Sequence, residues 1–500
     1  MASPCFFKTA IAMSMKSYFV AALAAAALGL PAHIHGTVTL PSLISDHMVL
    51  QQQSQARLWG SARPGATVAV SPSWQSEPYS AKAGADGRWE LRVATPEASD
   101  TAYTITFADP DGSVTVSDVL VGEVWYCSGQ SNMEQWLKGY PCQPVDGALE
   151  TIIAARPGRP IRSFSVPHSL KAVPQTDVES SWRVNEPQAV AYCSAVAYYF
   201  ADYLNEVLDV PVGIIMSSWG GTQVQGWMPR EELAAFGINE DHLGNGKADP
   251  TSPYQPSAMY NGMVAPLTPY TVKGMLWYQG EANVYDYRLY ERLMQAFVPA
   301  MRRVFDNDSM PFYYVQIAPH ESVYAGMRNV KPYDPANLRL AQARLMKQVP
   351  GTGMVVTTDL GERTNIHHTD KRTVGRRLAY WALAKDYGRN NMGWAGPVYR
   401  EMKVEGNTAY LYFDIHFGGV SPYGVPIEGF EVAGADGIYY PAEAYADPTR
   451  TDGKVVRLSA PEVDVPVKVR YAHGIWKPGG LRDMWGLPAS PFTTSGEYEE

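Results

Sequence analysis

Gly122-Glu123-Val124-Trp125-Tyr126-Cys127-Ser128-Gly129-Gln130-Ser131-Asn132-Met133-Glu134 is the stretch on which the fold turns. It opens as a short apolar run and switches abruptly to Gly, Ser, Gln and Asn. A run of that length bounded by turn residues reads as a buried strand ending in a loop. The form recurs downstream. Val212-Gly213-Ile214-Ile215-Met216 leads into Ser217-Ser218-Trp219-Gly220-Gly221-Thr222, and Gly274-Met275-Leu276-Trp277-Tyr278 into Gln279-Gly280-Glu281-Ala282-Asn283. Phe312-Tyr313-Tyr314-Val315-Gln316-Ile317 and Met354-Val355-Val356-Thr357 complete the set. Between the runs lie amphipathic stretches from about Val190 to Leu208, Tyr287 to Phe305 and Arg372 to Tyr387. Strand-helix alternation predicts an α/β class: a parallel sheet with helices on both faces. Ligands of such sheets sit beyond the carboxyl ends of the strands, so the residues directly after each run are the first candidates for chemistry.

On either side of this region the texture is all-β. Thr67-Val68-Ala69-Val70 and Tyr103-Thr104-Ile105-Thr106-Phe107 alternate between turn signals such as Asp109-Pro110-Asp111-Gly112. Thr408 to Phe413, Gly429 to Val432 and Val465 to Tyr471 repeat the pattern near the C-terminus. The division expected is a signal peptide over 1–36, an N-terminal β-sandwich over 37–119, a catalytic α/β domain over 120–395 and a C-terminal β domain over 396–500. A chain of 500 residues is long enough for roughly two to four domains.

The N-terminal reading rests on Lys16 followed by an apolar run, Tyr18 to Leu30, and then Pro31-Ala32-His33, with Met1 or Met15 as the start. That run is too short for a membrane span and fits a signal peptide, which predicts an exported protein, periplasmic or extracellular. A net charge of −9 argues against a nucleic-acid partner. The 31 Tyr and 13 Trp fit β-sheet surfaces and cores better than they demand sugar stacking. With Cys5 removed, Cys127, Cys142 and Cys193 allow at most one disulfide, and Cys127 reads as a small buried residue.

The strand ends carry the chemistry. Ser131 after Gly-Gln can project its hydroxyl into the crevice, although a Ser at such a turn serves equally as a helix cap. Gly221 can bring a bare N–H to a ligand, or simply make a tight turn. Gln279 can donate an amide hydrogen to a developing oxyanion, or stabilise its own loop. His367 in Asn365-Ile366-His367-His368 can take a proton from Ser131. Polar motifs end several strands of one sheet, and together these four form a complete acyl-transfer set. His416, in Asp414-Ile415-His416, copies the pattern but follows a C-terminal strand and reads as structural.

Gly129-Gln130-Ser131-Asn132-Met133 paired with Trp277-Tyr278-Gln279-Gly280-Glu281 resembles the sialate O-acetylesterase family, a branch of the SGNH (GDSL-like) hydrolases. Asp46 to Gln51, Trp219-Gly220-Gly221-Thr222, Tyr260-Asn261-Gly262-Met263, Ile366-His367 and Gly486 to Phe492 extend the likeness over nearly the whole mature chain. The resemblance implies an SGNH-type, flavodoxin-like parallel sheet, a serine esterase removing acetyl groups from a sugar or glycan, and no metal or organic cofactor. It implies Ser131 as nucleophile and His367 as base. The oxyanion donors it implies are the Ser131 and Gly221 amides with the side chain of Gln279 or Asn283, Gln279 being favoured. Gln130, Asn132 and Glu281 are expected on the substrate side. Many members carry Asp three residues before the His, where this chain has Thr364, and Asp-Ile-His-Pro where it has Asn365-Ile366-His367-His368. The orienting acid is therefore either Asp359 or absent, leaving a Ser-His dyad oriented by a backbone carbonyl.

The same kit would serve an acetyl xylan or other polysaccharide esterase, because it addresses only the acetyl group. A non-catalytic carbohydrate-binding protein is the rival from another class, opposed by the intact Ser131 and His367. A lipase lacks support because no Gly-x-Ser-x-Gly surrounds Ser131. A zinc protease lacks its His-Glu-x-x-His.

Overall fold

The Gly112–Gly129 strand runs 18 residues, and its last eleven are buried. Its carboxyl half forms the centre of a parallel sheet, flanked by Val212–Ser218 on one side and Gly274–Tyr278 on the other. Ile161–Ser165 lies outside Val212–Ser218, while Phe312–Val315 and then Thr352–Val355 lie outside Gly274–Tyr278. From the central strand the chain crosses first to the outer strand Ile161–Ser165, returns to fill the gap with Val212–Ser218, and then winds outward on the other side from Gly274–Tyr278 to Thr352–Val355. That makes the carboxyl end of Gly129 a topological switch point, where a crevice opens in such sheets. The computed structural model describes residues 38–238, 255–321 and 334–498. The expected signal segment, Tyr18 to Leu30, lies outside the described residues.

Alternation along the central strand loads both faces. Val124 and Tyr126 join one apolar core with the helices Tyr287–Val304 and Pro335–Gln348. Trp125 and Cys127 join another with the helices Ala195–Leu208 and Lys371–Lys385. Burial on two faces explains why the strands read as continuous apolar runs. All four of these helices start on a side-chain cap: Ser194 accepts from the Ala197 N–H, Asp286 from Leu289, Asp334 from Asn337 and Asp370 from Thr373.

Leu120, where the sequence texture changes, lies inside the long strand, which runs without a break from one region into the next. Its amino half pairs antiparallel with Ser99–Asp109 and parallel with Val49–Gln51. The C-terminal region forms two four-stranded antiparallel sheets around a third core containing Leu411, Val432, Val456 and Val469. Cys127, Cys142 and Cys193 are free thiols, Cys127 fully buried as its apolar setting suggested. Among the described residues no helix is long and apolar enough to cross a membrane.

Candidate active site

Ser131 opens a single helical turn, Ser131–Glu134, immediately past the central strand. Gly129 makes the exit possible: its φ is +144°, and a Cβ there would stand 2.1 Å from the Tyr278 carbonyl oxygen. The Gln130 N–H donates to that same carbonyl at 2.9 Å. Gln130 occupies the cap position, so Ser131 is not a helix cap, and its half-buried hydroxyl has no hydrogen-bond partner among the described residues.

The Trp219-Gly220-Gly221 loop runs beside Ser131, with a Cβ on Gly220 falling 3.2 Å from the Ser131 Cβ. Glu134, three residues after Ser131, fixes this loop. One carboxylate oxygen accepts the Gly220 N–H at 2.6 Å, and the other pairs with His168 Nε2 at 2.7 Å. His168 stacks flat on Trp219, centroids 4.1 Å apart. Gly221 is exposed in the left-handed region, φ +73°, its N–H unbonded among the described residues. Glu134 carries a role that the sequence reading left unassigned.

Gln279 corrects an expectation. Its Nε2 donates to the Thr222 carbonyl at 3.1 Å and to Asn283 Oδ1 at 2.7 Å, which uses both amide hydrogens, and the residue is fully buried. Asn283 Oδ1 also accepts from the Val224 N–H at 3.0 Å. Two donors on that oxygen fix the amide orientation, and Asn283 Nδ2 spends one hydrogen on Gln225 Oε1 at 3.0 Å. The side chain with donor capacity left is Asn283, oriented by Gln279.

Gln130, Asn132 and Glu281, expected on the substrate side, are buried tethers instead. Gln130 Oε1 accepts from the N–H groups of Gly280 and Ala282 at 3.1 and 3.3 Å, holding the loop after the Gly274–Tyr278 strand. Asn132 Nδ2 donates to Glu281 Oε1 at 2.9 Å and to the Ile366 carbonyl at 3.1 Å. Asn132 Oδ1 accepts from Lys371 Nζ at 2.5 Å. One amide therefore ties the Ser131 turn to the Glu281 loop and to the residue preceding His367. Burial raises the Glu281 carboxyl above its ordinary range and brings the Lys371 ammonium down to about 7, with Glu281 pulling it back up.

His367 is half-buried, and its Nδ1 lies 2.5 Å from Gln143 Oε1. A donating Nδ1–H leaves Nε2 with its lone pair. Asn365 shapes the loop, its Oδ1 accepting the His367 N–H at 3.0 Å and its Nδ2 donating to the His367 carbonyl at 2.7 Å. Burial, helped by the Lys371 cation and opposed by Glu134, lowers the His367 pKa to about 4. Among the described residues no hydrogen bond joins its ring to Ser131. His368 points into the core, fully buried, its Nε2 3.1 Å from the Tyr278 hydroxyl.

Asp359 does not orient His367. Its two oxygens accept from Arg377 at 2.8 and 2.7 Å, and Arg482 adds a third contact at 3.0 Å. Thr364 is exposed, so the position three before the His contributes no partner. Gln143 was missed because it sits in an unremarkable turn 224 residues from its partner. His416 stacks on Trp394, centroids 3.9 Å apart, in keeping with a structural residue. Among the described residues no group of three or more His, Cys, Asp or Glu could hold a metal ion.

Comparison with known proteins identifies the family. The family model described as carbohydrate esterase, sialic acid-specific acetylesterase, matches residues 121–384. Sialate O-acetylesterase of Homo sapiens is 30% identical over 404 residues, covering 74% of this chain and 75% of that protein. The Mus musculus sialate O-acetylesterase is 29% identical over 431 residues, covering 74% and 77%. A crystal structure of a carbohydrate acetylesterase from Xanthomonas citri superposes with a TM-score of 0.80 at 33% identity, covering 91% of this chain and 99% of that one. This chain belongs to the sialic acid-specific acetylesterase family of carbohydrate esterases and is a carboxylic ester hydrolase acting on O-acetylated carbohydrate.

Proposed function

We propose that the chain is an exported serine esterase that releases acetate from O-acetylated sialic acid, with Ser131 as nucleophile and His367 as base. The observation that carries this reading is the Gln143–His367 contact on a loop that Asn132 ties to the Ser131 turn. Gln143 holds the imidazole with Nε2 unprotonated. His367 Nε2 takes the Ser131 proton as the oxygen attacks the acetyl carbonyl. Catalytic hydrogen bonds of this kind shorten once substrate is seated. The oxyanion is met by the Ser131 and Gly221 amides and Asn283 Nδ2, each donor contributing ~3 kcal/mol to the transition state. His367 then passes its proton to the departing sugar alcohol, and water releases acetate from Ser131 by the same steps.

The parallel sheet with its two helical layers supports an SGNH-type arrangement, with β-sandwich domains before and after it over 37–119 and 396–500. The N-terminal apolar run supports export to the periplasm or beyond. Acetate release is to be measured from O-acetylated sialic acids and from acetylated xylan oligomers, with Ser131→Ala as control. Turnover of the sialic acid ester by wild type and none by Ser131→Ala is expected. Undiminished release by Ser131→Ala would overturn the nucleophile, and a strong preference for xylan the substrate.

A further inference from the structure

We infer that the cleft walled by Trp136 and Tyr192, at the Glu134 end of the Ser131–Glu134 turn, is the subsite that holds the pyranose ring bearing the scissile acetyl group. This rests on the esterase reading above and extends it to the sugar.

The cleft measures about 250 Å³ and is lined by Glu134, Trp136, His168, Tyr192, Ser194 and Ser218, among others. It begins where the chemistry ends. Glu134 closes the Ser131 turn, and Ser218 is the last strand residue before the Trp219-Gly220-Gly221 loop. Ligand sites for drug-sized molecules run ~300–1,000 Å³, so a smaller cleft suits one sugar ring rather than an extended chain.

Trp136 and Tyr192 are 39% and 54% exposed. A lone exposed aromatic needs no explanation. These two form a built shelf. Their rings meet edge-on with centroids 5.3 Å apart, and the Lys138 ammonium stands 3.7 Å from the Tyr192 centroid and 4.9 Å from that of Trp136. The backbone fixes them too: the Leu137 N–H donates to the Cys193 carbonyl at 2.8 Å and the Lys138 N–H to Ala191 at 3.1 Å. Surfaces ordered before the ligand arrives lose less entropy on binding.

The shelf connects to the base. Trp136 packs edge-on against Tyr140 at 5.8 Å, and Tyr140 against the His367 ring at 6.0 Å. The lining also includes the Glu134–His168 pair and Ser218. A pyranose has one apolar C–H face and a rim of hydroxyls. The aromatic wall offers a partner for the face, and the polar wall for the rim.

The test uses the full chain and two substrates, an O-acetylated sialic acid and the sugar-free ester p-nitrophenyl acetate. Specificity constants are measured for wild type, Trp136→Ala, Trp136→Phe, Tyr192→Ala and Ser131→Ala, with thermal melting to confirm folding. The ratio of sugar ester to sugar-free ester is expected to fall about ten-fold or more in Trp136→Ala, ~1.4 kcal/mol or more. The fall should appear in KM and be partly restored in Trp136→Phe. An unchanged ratio, whether both activities drop together or neither moves, overturns the subsite. Activity of Ser131→Ala on both esters would instead overturn the esterase assignment, leaving the two failures distinguishable.

Discussion

The Nδ1 atom of His367 lies 2.5 Å from Gln143 Oε1, so the ring is steered by a neutral amide rather than by a carboxylate. An amide fixes the tautomer but does not stabilise the imidazolium as a negative charge would. Burial lowers the His367 pKa to about 4. Below that pH the ring is protonated and cannot accept from Ser131, so the acid limb of kcat/KM is expected near pH 4 instead of near ~6.5. Gln143→Glu should move that limb upward by about one unit or more. Gln143→Ala should lower kcat ~10²-fold. Superimposable pH profiles for wild type and Gln143→Glu would show that Gln143 does not steer the base.

Asn283 and Gln279 separate by the kind of loss they cause. Asn283→Ala removes a candidate oxyanion donor and should cut kcat by ~10²–10³. Gln279→Ala strands the Thr222 carbonyl and frees the Asn283 amide to rotate, so both stability and kcat should fall, the former by ~1–3 kcal/mol. Denaturant melts beside turnover rates decide the matter. Full stability with a large kcat defect in Gln279→Ala would return the donor role to Gln279.

Glu134 holds the Gly220 N–H and, through His168, the stacked Trp219. Glu134→Ala should leave Gly221 poorly placed and reduce kcat ~10-fold or more, with KM for a sugar-free acetyl ester moving less. Steady-state kinetics on p-nitrophenyl acetate read this directly. A pure KM effect would mean that Glu134 contacts substrate without fixing the loop.

Asp359 serves as a structural carboxylate, held by Arg377 and Arg482. Its side chain is 4% exposed and that of Arg377 9% exposed. Asp359→Asn leaves buried guanidinium uncompensated and should cost ~3–5 kcal/mol of stability. The folded fraction should retain its kcat. A stable Asp359→Asn protein with a collapsed kcat would restore Asp359 as the acid behind His367.

The sheet was legible because each strand is buried on both faces, and an apolar run between turn residues has few other readings. Gly274–Tyr278 matches its run residue for residue. Ile161–Ser165 escaped notice because Arg162 and Ser163 interrupt the pattern, Arg162 being buried against Asp118. The helix Pro335–Gln348 was hidden likewise, with Asn337, Arg339 and Gln342 all buried. At the site, position along the chain indicated which loops converge but not which atoms remain available. Gln279 looked free beside a strand end, yet Thr222 and Asn283 occupy both its hydrogens. Gln143 carries no local signal, since its role comes from a contact 224 positions away.

The unbroken Gly112–Gly129 strand means that the β region from Val49 to Asp109 is no detachable accessory. A graft or truncation made at Leu120 would sever a ladder whose far end sets the height of Ser131. Swapping the N-terminal β region for a relative's should therefore perturb turnover as well as melting, because the anchor and the nucleophile share a single rod.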